Sequence, residues 1–541
     1  MKKHIFLYIS YLLNVAFIII VFLQLDMAEL NLFINSDTLY LPVFFRDIAI
    51  DHARDIKWIV PPVTCFFPDL VIYFMVNFFI NNIILAKLIT GIILCVLLLL
   101  GFCLLVNESV YKINPLHIST GVNLFLLFHI VSLSAGDFVF TFHLTATNYH
   151  LGAYISSIFC LYLAVRYLRT KKISNLVVLL LLYILTFSSD FLTVCHLTIP
   201  LFMLSILFFK KSYRSQAYYL LASNCLGLIL GFLLFRFVDI SKAISVYSIQ
   251  NITYLKFNFQ TIAKAYSIML NYHFLFLKAM DLRTVIFILC IISLIISIAL
   301  LIRKLQNYFK EDEISNYELL ELAYLILLVS QVIVLYNAPA ITGIFVGYDM
   351  IRYNVYVFFI LILNYAYLFH KLFLQTRFLK FIYLVPALLT VMFSFYCIRT
   401  YIKTDMNRGA DNLFGYYPDW VKKVDELCHQ HDLKYGLADF WLAKPITMLS
   451  KSNLRVYQVY KDGCPYPHVV NYNWYYGTAD GRTPPPVFEF VMMNNLIDSL
   501  VYQKLENHII DTLANDNITL IKVHPFVFER ETCSMVFVNE K

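Results

Sequence analysis

The sequence predicts a polytopic α-helical membrane protein with about eleven transmembrane helices and a small C-terminal α/β domain outside the membrane. Hydrophobic residues make up 60% of the 541 positions and charged residues only 14%, whereas a soluble domain carries about a quarter charged residues. Apolar runs long enough to cross about 30 Å of hydrocarbon recur up to residue 398. Lysine and arginine gather in short clusters between these runs. Such clusters orient helices and give no sign of a nucleic-acid partner.

Each sufficiently long apolar run is predicted to form one transmembrane helix. The runs are 5–25, 84–106, 117–135, 151–168, 174–188, 191–209, 216–236, 283–302, 318–336, 351–370 and 378–398. The fifth and sixth are broken only by the polar residues around Asp190, which predicts a helical hairpin. The first run follows Met1-Lys2-Lys3 without a small-residue cleavage site, which predicts a retained anchor.

The basic clusters predict the orientation of the helices. They lie at 166–172, 210–214, 303–310 and 371–380, whereas the loops 136–150, 188–190 and 337–350 contain no lysine or arginine. Basic loops stay on the cytoplasmic side. All of these assignments agree when the N-terminus is cytoplasmic.

One apolar segment, 69–82, is too short to cross the membrane comfortably. Counting it as a span would put every later basic cluster outside. We therefore expect it to lie in the outer interface with its aromatic side chains toward lipid. The transmembrane domain is then 1–398, with two long outer loops at 26–83 and 237–282.

Beyond the last apolar run, charge, proline and asparagine return, which predicts an extracytoplasmic α/β domain at 399–541. Helices are expected at 418–431, 440–450 and 498–514. Strands are expected at 434–438, 454–460, 487–494, 518–523 and 534–538.

Four aspartates stand where the predicted outer loops meet the membrane. They are Asp37, Asp69, Asp137 and Asp190. Ionisable groups near the membrane are costly and usually functional, and bundled helices would bring these loop ends to one outer cleft. Carboxylates gathered there can act as a general base or hold a divalent metal ion. The alternative is that they are solvated loop residues, as we expect for Asp47, Asp51 and Asp55.

Three basic side chains are candidates for binding a phosphate. Arg352 begins the tenth run on the outer side, where its guanidinium can bind a lipid phosphate through two N–H groups or pair with Asp349. His143 and His150 flank the loop after the third run. They can bind a phosphate or a metal, although lone loop histidines more often do neither.

The order of these features resembles the GT-C superfamily of membrane glycosyltransferases, which includes the protein mannosyltransferases and the lipid A aminoarabinose transferase. Ser36-Asp37-Thr38-Leu39-Tyr40 stands where those enzymes carry an acidic residue in the first outer loop, and Pro61-Pro62 and Phe66-Phe67-Pro68-Asp69-Leu70 stand where they carry a proline-rich stretch. The layout covers residues 1–300. Shorter motifs are similar to a group of bacterial GT-C-like proteins. They are Tyr149-His150-Leu151-Gly152, Ser189-Asp190-Phe191-Leu192, Arg352-Tyr353 and Gly436-Leu437-Ala438-Asp439-Phe440-Trp441.

The resemblance implies a hexosyl- or pentosyltransferase that takes a sugar from a polyprenyl-phosphate donor. Asp37 would be the general base with Asp69 beside it, and Arg352, His143 and His150 would bind the donor phosphate. Asp137 and Asp190 would hold the acceptor or a divalent metal ion. The adjacent Asp-Glu pair of the protein mannosyltransferases is absent, which leaves metal dependence and the acceptor (a glycan, a lipid or a protein) open.

The expected location is the bacterial inner membrane, with membrane lipids as further partners, the N-terminus in the cytoplasm and the C-terminal domain in the periplasm or outside the cell. Three other functions stay open: a lipid or polysaccharide flippase or transporter, a polysaccharide polymerase or ligase, and an inactive member whose outer domain binds a partner. Ionisable residues gather at the outer edge rather than at mid-membrane, which disfavours a transporter. The aromatic-polar segment 471–476 suits a glycan, although core packing explains it equally well.

Overall fold

A computed structural model describes most of the chain. The described residues are 33–53, 56–61, 63–110, 113–134, 149–209, 213–240, 244–246, 258–278, 282–311, 314–372, 415–478, 480–496 and 500–538, with a few isolated positions. The predicted spans 5–25 and 378–398 and the loop with Asp137 and His143 lie outside these residues.

Within the described residues, most helices up to Leu372 occupy predicted apolar runs, and several further helices lie outside those runs. In chain order they are α1 (Tyr40–Phe45), α2 (Val71–Phe79), α3 (Ile83–Ser109), α4 (Pro115–Ser134), α5 (Leu151–Thr170), α6 (Ile173–Ser189), α7 (Ile199–Leu207), α8 (Arg214–Ile240), α9 (Phe259–Lys278), α10 (Leu282–Lys310), α11 (Asn316–Ile341), α12 (Val355–Leu363), α13 (Tyr365–Leu372), α14 (Asp419–Gln430), α15 (Phe440–Leu449), α16 (Asn473–Tyr476) and α17 (Leu500–Leu505). Wider π turns precede or follow three of them, at Arg46–Ile50, Phe66–Leu70 and Val194–Thr198, and 3-10 turns lie at Tyr348–Tyr353 and Glu506–His508.

Five described helices are long and apolar enough to cross a membrane. They are Ile83–Ser109, Leu151–Thr170, Arg214–Phe237, Thr284–Lys310 and Asn316–Ile341, and shorter apolar helices lie at Phe66–Phe79, Ile173–Ser189, Val194–Leu207 and Val355–Lys371. The helices at Leu151–Thr170 and Asn316–Ile341 are largely buried by their neighbours, whereas Thr284–Lys310 exposes most of its apolar side chains. The predicted helical character is confirmed, and such an apolar exterior is compatible with a membrane protein. The count of about eleven spans stays a prediction.

Two expectations concern the outer loops. The segment predicted to lie in the interface does form a helix, α2, whose exposed residues Val71, Met75, Phe78 and Phe79 are apolar. Its position relative to lipid stays a prediction. The second outer loop, 237–282, contains α9, a 20-residue helix that the sequence analysis did not identify.

The predicted cytoplasmic ends of the helices meet through charged and polar contacts. Glu321 accepts hydrogen bonds from the ammonium groups of Lys304 and Lys371, each at 2.7 Å. Arg169 pairs with Glu108 at 3.3 Å. These contacts join basic clusters that the orientation rule assigns to one side of the membrane.

The C-terminal domain contains a sheet of β3 (Tyr435–Ala438), β4 (Arg455–Gln458), β6 (Phe488–Met492), β7 (Ile509–Asn515), β8 (Ile518–Phe528) and β9 (Met535–Phe537). The strand order is β4-β3-β6-β8-β7, and β9 pairs with β8. The strands β4, β3 and β6 are parallel and the other pairs antiparallel. Helix α15 packs against β3 and β4, and helix α14 packs against β7 and β8. The five predicted strands are confirmed.

The helix expected over 498–514 is wrong for most of its length. Only Leu500–Leu505 is α-helical, and Ile509–Asn515 forms β7. Asn515 pairs with Ile518 across a tight turn in which Asp516 has a positive φ. Hydrogen bonding along β8 therefore decides the structure here, and apolar spacing within a single segment cannot reveal such a partner.

A second, three-stranded sheet joins the C-terminal domain to both outer loops. Its order is β2-β1-β5, in which β1 (Trp58–Val60) pairs in parallel with β2 (Ile244–Val246) and antiparallel with β5 (Val470–Asn471). Each loop and the C-terminal domain thus contributes one strand. The segments 26–83 and 237–282 and the C-terminal domain are therefore joined through this one sheet.

Beside this sheet, the buried carboxylate of Asp47 accepts three hydrogen bonds. Trp58 Nε1 donates at 2.7 Å, Asn471 Nδ2 at 2.8 Å and Trp474 Nε1 at 2.8 Å. We call these four residues the Asp47 clamp. Because two of the donors belong to the C-terminal domain, the clamp fixes that domain against the first outer loop.

Replacing Asp47 by Asn is expected to loosen the C-terminal domain. An amide can accept on one side only, so at least one buried N–H would face the amide NH₂ group and stay unsatisfied, at a cost of about 1–3 kcal/mol. Thermal unfolding should therefore begin at a lower temperature, and proteases should cleave the outer domain faster. Asp511→Asn, on the exposed strand β7, is the control and should change neither. Equal melting of D47N and D511N would contradict the role of the clamp.

Candidate functional site

Asp37 lies in a tight turn just before α1, and the turn is held from two directions. Asn35 and Thr38 exchange backbone-to-side-chain hydrogen bonds, each at 3.0 Å. The buried ammonium of Lys87 donates to the carbonyls of Phe33 at 2.6 Å and Thr38 at 2.9 Å. These contacts fix the backbone on both sides of Asp37.

The C-terminal helix α15 packs directly on this segment. The Ser36 hydroxyl donates to the carbonyl of Phe440, at the start of α15, and Arg46 Nη1 donates to the carbonyl of Thr447, near its end, at 2.6 Å. The helix therefore runs alongside α1, and its side chains reach the Asp37 turn.

Asp37 is half-buried and faces two cations from distant parts of the chain. Burial raises the pKa of Asp37, and the positive charges of Lys444 and Arg352 partly oppose that rise. Tyr149 also lies within range of the charges of Asp37 and Arg352. Asp37 thus lies within electrostatic range of two cations, Lys444 and Arg352, and of the Tyr149 phenol.

Lys444, on α15, is the member of the site that the sequence analysis missed. Only 4% of its surface is exposed, and its ammonium makes no hydrogen bond within the described residues. The ammonium lies 4.1 Å from the centre of the Phe440 ring. Burial lowers the pKa of Lys444 to about 7, although Asp37 opposes the change. A buried cation near a carboxylate but not bonded to it is suited to an anionic ligand.

Arg352 lies in the 3-10 turn that leads into α12. Its guanidinium lies 5.2 Å from the centre of the Tyr353 ring, and that ring lies 5.4 Å from the His150 ring. The structure does not describe the side chain of Asp349, so the alternative pairing of Arg352 with Asp349 stays a prediction. Arg352 therefore connects the Asp37 turn to the neighbouring histidine.

The second group of predicted residues surrounds the start of α5. His150 Nδ1 lies 2.7 Å from Asp190 Oδ2, and both side chains are buried. Burial alone would raise the pKa of Asp190, but the charge and hydrogen bond of His150 outweigh it and lower that pKa. The backbone N–H of Leu192 also donates to Asp190, at 2.9 Å. His150 and Asp190 therefore act as a pair.

Asp69 is buried against the first turn of α5 because Gly152 has no side chain. A Cβ at Gly152 would lie 1.8 Å from Asp69 Oδ2. The segment that carries Asp69 is tied to the α6 hairpin tip, since Thr64 N–H donates to the Ser189 carbonyl and Phe67 N–H to the Ser189 hydroxyl, each at 3.0 Å. This packing brings Asp69 to the same region as His150 and Asp190.

The two groups adjoin each other. The Tyr356 hydroxyl donates to the Tyr149 carbonyl at 2.5 Å, which places Tyr149 between Arg352 and His150. The Cys65 thiol lies within range of the charges of Asp69 and Asp190, and also near Tyr149. The structure thus gathers Asp37, Asp69, His150, Asp190 and Arg352, all predicted from the sequence.

The expected metal ion has no complete set of ligands in the part of the chain that the structure describes. No group of three or more histidine, cysteine, aspartate or glutamate side chains there could hold a metal. Asp190 is instead paired with His150. Asp137 and His143 lie outside the described residues, so their proposed roles stay predictions.

Comparison with protein-family models, curated proteins and solved structures found no match for this chain. The resemblance to the GT-C superfamily therefore depends on the order of the motifs in the sequence.

Replacing Gly152 by Ala is expected to displace the Asp69 carboxylate, because the added methyl group would occupy its position. We expect a lower melting temperature for G152A and a smaller effect when Asp69 is already Ala, in which case the clash with Pro68 Cδ, 2.7 Å from the added carbon, remains. A double-mutant cycle of G152A and D69A should give a coupling of about 1 kcal/mol or more. In the control G101A the added carbon meets the Phe159 ring at 3.1 Å and Ile158 Cγ2 at 3.3 Å. Additive effects of G152A and D69A would contradict the contact.

Proposed function

We propose that this protein is a glycosyltransferase of the bacterial inner membrane that moves a sugar from a polyprenyl-phosphate donor to an acceptor on the outer face. The proposal includes about eleven transmembrane helices, a cytoplasmic N-terminus and an extracytoplasmic C-terminal domain. One observation supports it: Asp37, held in its turn before α1, lies within electrostatic range of Arg352 and of the buried Lys444, whose ammonium makes no hydrogen bond within the described residues.

Asp37 would act as the general base. It takes the proton from an acceptor hydroxyl while that oxygen attacks the anomeric carbon of the donor sugar. The bond between the anomeric carbon and the phosphate oxygen breaks, and polyprenyl phosphate leaves with the bonding electrons. A single displacement inverts the anomeric centre. A carboxylate whose pKa is raised by burial is a stronger base than an exposed one.

Arg352 and Lys444 would stabilise the leaving phosphate. Negative charge grows on that phosphate as the glycosidic bond breaks, and fixed cations lower the barrier most when they lie where charge develops. The His150–Asp190 pair would position Tyr353 and hence Arg352. Asp69 would orient the acceptor.

An apolar groove supports a lipid-linked donor. Its volume is about 410 Å³, and α9, α10, α11 and α12 form its walls. Most lining side chains are aliphatic or aromatic, such as Leu270, Phe274 and Ile291. A polyprenyl chain suits such a surface, since it has no polar groups to satisfy.

Replacing Asp37 by Asn is expected to reduce transfer at least about 100-fold, the usual contribution of a general base. The assay supplies labelled polyprenyl-phosphate hexoses and pentoses to the protein in proteoliposomes and measures sugar release or transfer. Asp511→Asn is the matched control and should keep full activity. A flippase would move the donor and leave it intact.

The same variant should keep its stability. Because burial raises the pKa of Asp37 in the folded protein, the ionised carboxylate disfavours folding above that pKa. A neutral Asn is therefore expected to melt no lower than the wild type. Full transfer activity in a well-folded D37N variant would show that Asp37 is not the general base.

The pH dependence of kcat/KM tests Lys444. Its free-enzyme pKa of about 7 predicts that kcat/KM falls above pH 7 as the ammonium loses its proton. His468 also faces Lys444, but burial lowers its pKa to about 4, so it does not contribute to this limb. In Lys444→Met the alkaline limb should vanish and kcat/KM at pH 6 should fall about 10–100-fold, whereas Lys444→Arg should stay active at pH 9. An unchanged alkaline limb in K444M would exclude this role.

A further inference from the structure

A second, open cleft lies between the first outer loop and the C-terminal domain. Its volume is about 550 Å³, within the usual range for a small-ligand site. Residues 47–53 form one wall. The other wall comes from β3, β4 and the segment 471–483.

The lining combines aromatic rings with hydrogen-bonding groups. Trp474 stacks on Tyr457 at 5.3 Å with an interplanar angle of 17°, and Tyr435 lines the cleft beside them. Arg455, Arg482 and Asp51 supply charged donors and acceptors. A sugar presents apolar C–H faces to aromatic rings and hydroxyl groups to such polar side chains. The lining therefore suits a saccharide better than an apolar ligand.

The charges of the lining balance. Its two carboxylates, Asp47 and Asp51, equal in number the guanidinium groups of Arg455 and Arg482. Arg482 itself pairs with Asp480 at 2.7 Å, and the charge of Asp480 is offset by that of Arg46, which lies beside Asp51. Asp51 Oδ1 accepts from Arg455 Nη2 at 2.9 Å, and its other oxygen lies 3.8 Å from Arg46 Nε. With no excess charge, this lining favours an uncharged ligand.

The walls are held before any ligand arrives. The Asp47 clamp fixes the Trp474 indole, and the ion pairs of Asp51 fix Arg455. Binding a flexible chain then orders few protein side chains, which lowers the entropic cost of association.

Helix α15 sets the distance from the cleft to Asp37. Ser36 bonds to Phe440 and Arg46 bonds to Thr447, seven residues further along the helix. At 1.5 Å per residue, the two contacts are about 10 Å apart. Asp47, which lines the cleft, follows Arg46 directly in the sequence. The cleft therefore opens about 10 Å from the proposed base, the length of a short helix.

We propose that this cleft binds an uncharged oligosaccharide. Resting on the proposed function, we assign that oligosaccharide as part of the acceptor, a glycan chain whose terminal sugar reaches Asp37.

The experiment measures binding of labelled tetrasaccharides to the full-length protein in nanodiscs. The panel contains neutral β-linked glucose and N-acetylglucosamine chains, neutral α-linked mannose and galactose chains, and an acidic oligogalacturonate. The wild type should bind at least one neutral chain more tightly than the acidic chain. Tyr435→Ala and Arg482→Ala should weaken that binding about tenfold or more.

Tyr502→Ala is the matched control, because Tyr502 is a partly exposed tyrosine of the same domain that does not line the cleft. If Y435A folds poorly, Arg482→Ala still tests the cleft. The Arg482 side chain is 70% exposed, so its removal should not disturb folding. Absence of binding across the neutral panel, or equal loss in Y435A and Y502A, overturns the proposal. If neutral chains bind in a way that depends on Tyr435 but the wild type transfers no sugar, the oligosaccharide site in the cleft is supported and the proposed transferase function is contradicted.

Discussion

The Asp47 clamp is the constraint on which the outer half of the structure depends. A carboxylate buried without donors would be costly, but three N–H groups surround this one, two of them from the C-terminal domain. By fixing that domain against the first outer loop, the clamp sets the position of α15. Together with the bonds of Ser36 and Arg46 to α15, this attachment brings Lys444 to the Asp37 turn and holds Trp474 at the open cleft.

The two ends of the helical bundle carry different chemistry. At one end, the Glu321 carboxylate bonds directly to the ammonium groups of both Lys304 and Lys371. At the other end, Asp37 lies within electrostatic range of Lys444, whose ammonium makes no hydrogen bond within the described residues. Directly paired charge stabilises an end of a bundle, whereas charge kept apart leaves room for a ligand. This difference in pairing favours a reactive site at the end with Asp37.

Local sequence patterns predicted the features that are determined by the residues of a single segment. The apolar runs, the hairpin with Asp190 and most strands of the C-terminal domain follow from length, hydropathy and alternation. Features built from distant segments were not predictable in this way. Lys444 is an isolated lysine whose role comes from the docking of α15, and Ile509–Asn515 became a strand because β8 lies beside it. Likewise, nothing near Trp58 indicates that Asn471 and Ile244 would become its sheet neighbours.

The sheet that contains β1, β2 and β5 also dictates an order of assembly. Its three strands leave the ribosome far apart in time, because Trp58–Val60 must wait for Ile244–Val246 and then for Val470–Asn471. Pairings over such separations form late in folding. The Asp37 region therefore gains its last cation only after most of the polypeptide has been synthesised. A nascent chain stalled before residue 444 would lack Lys444 at the candidate site, so the site is completed late in biogenesis.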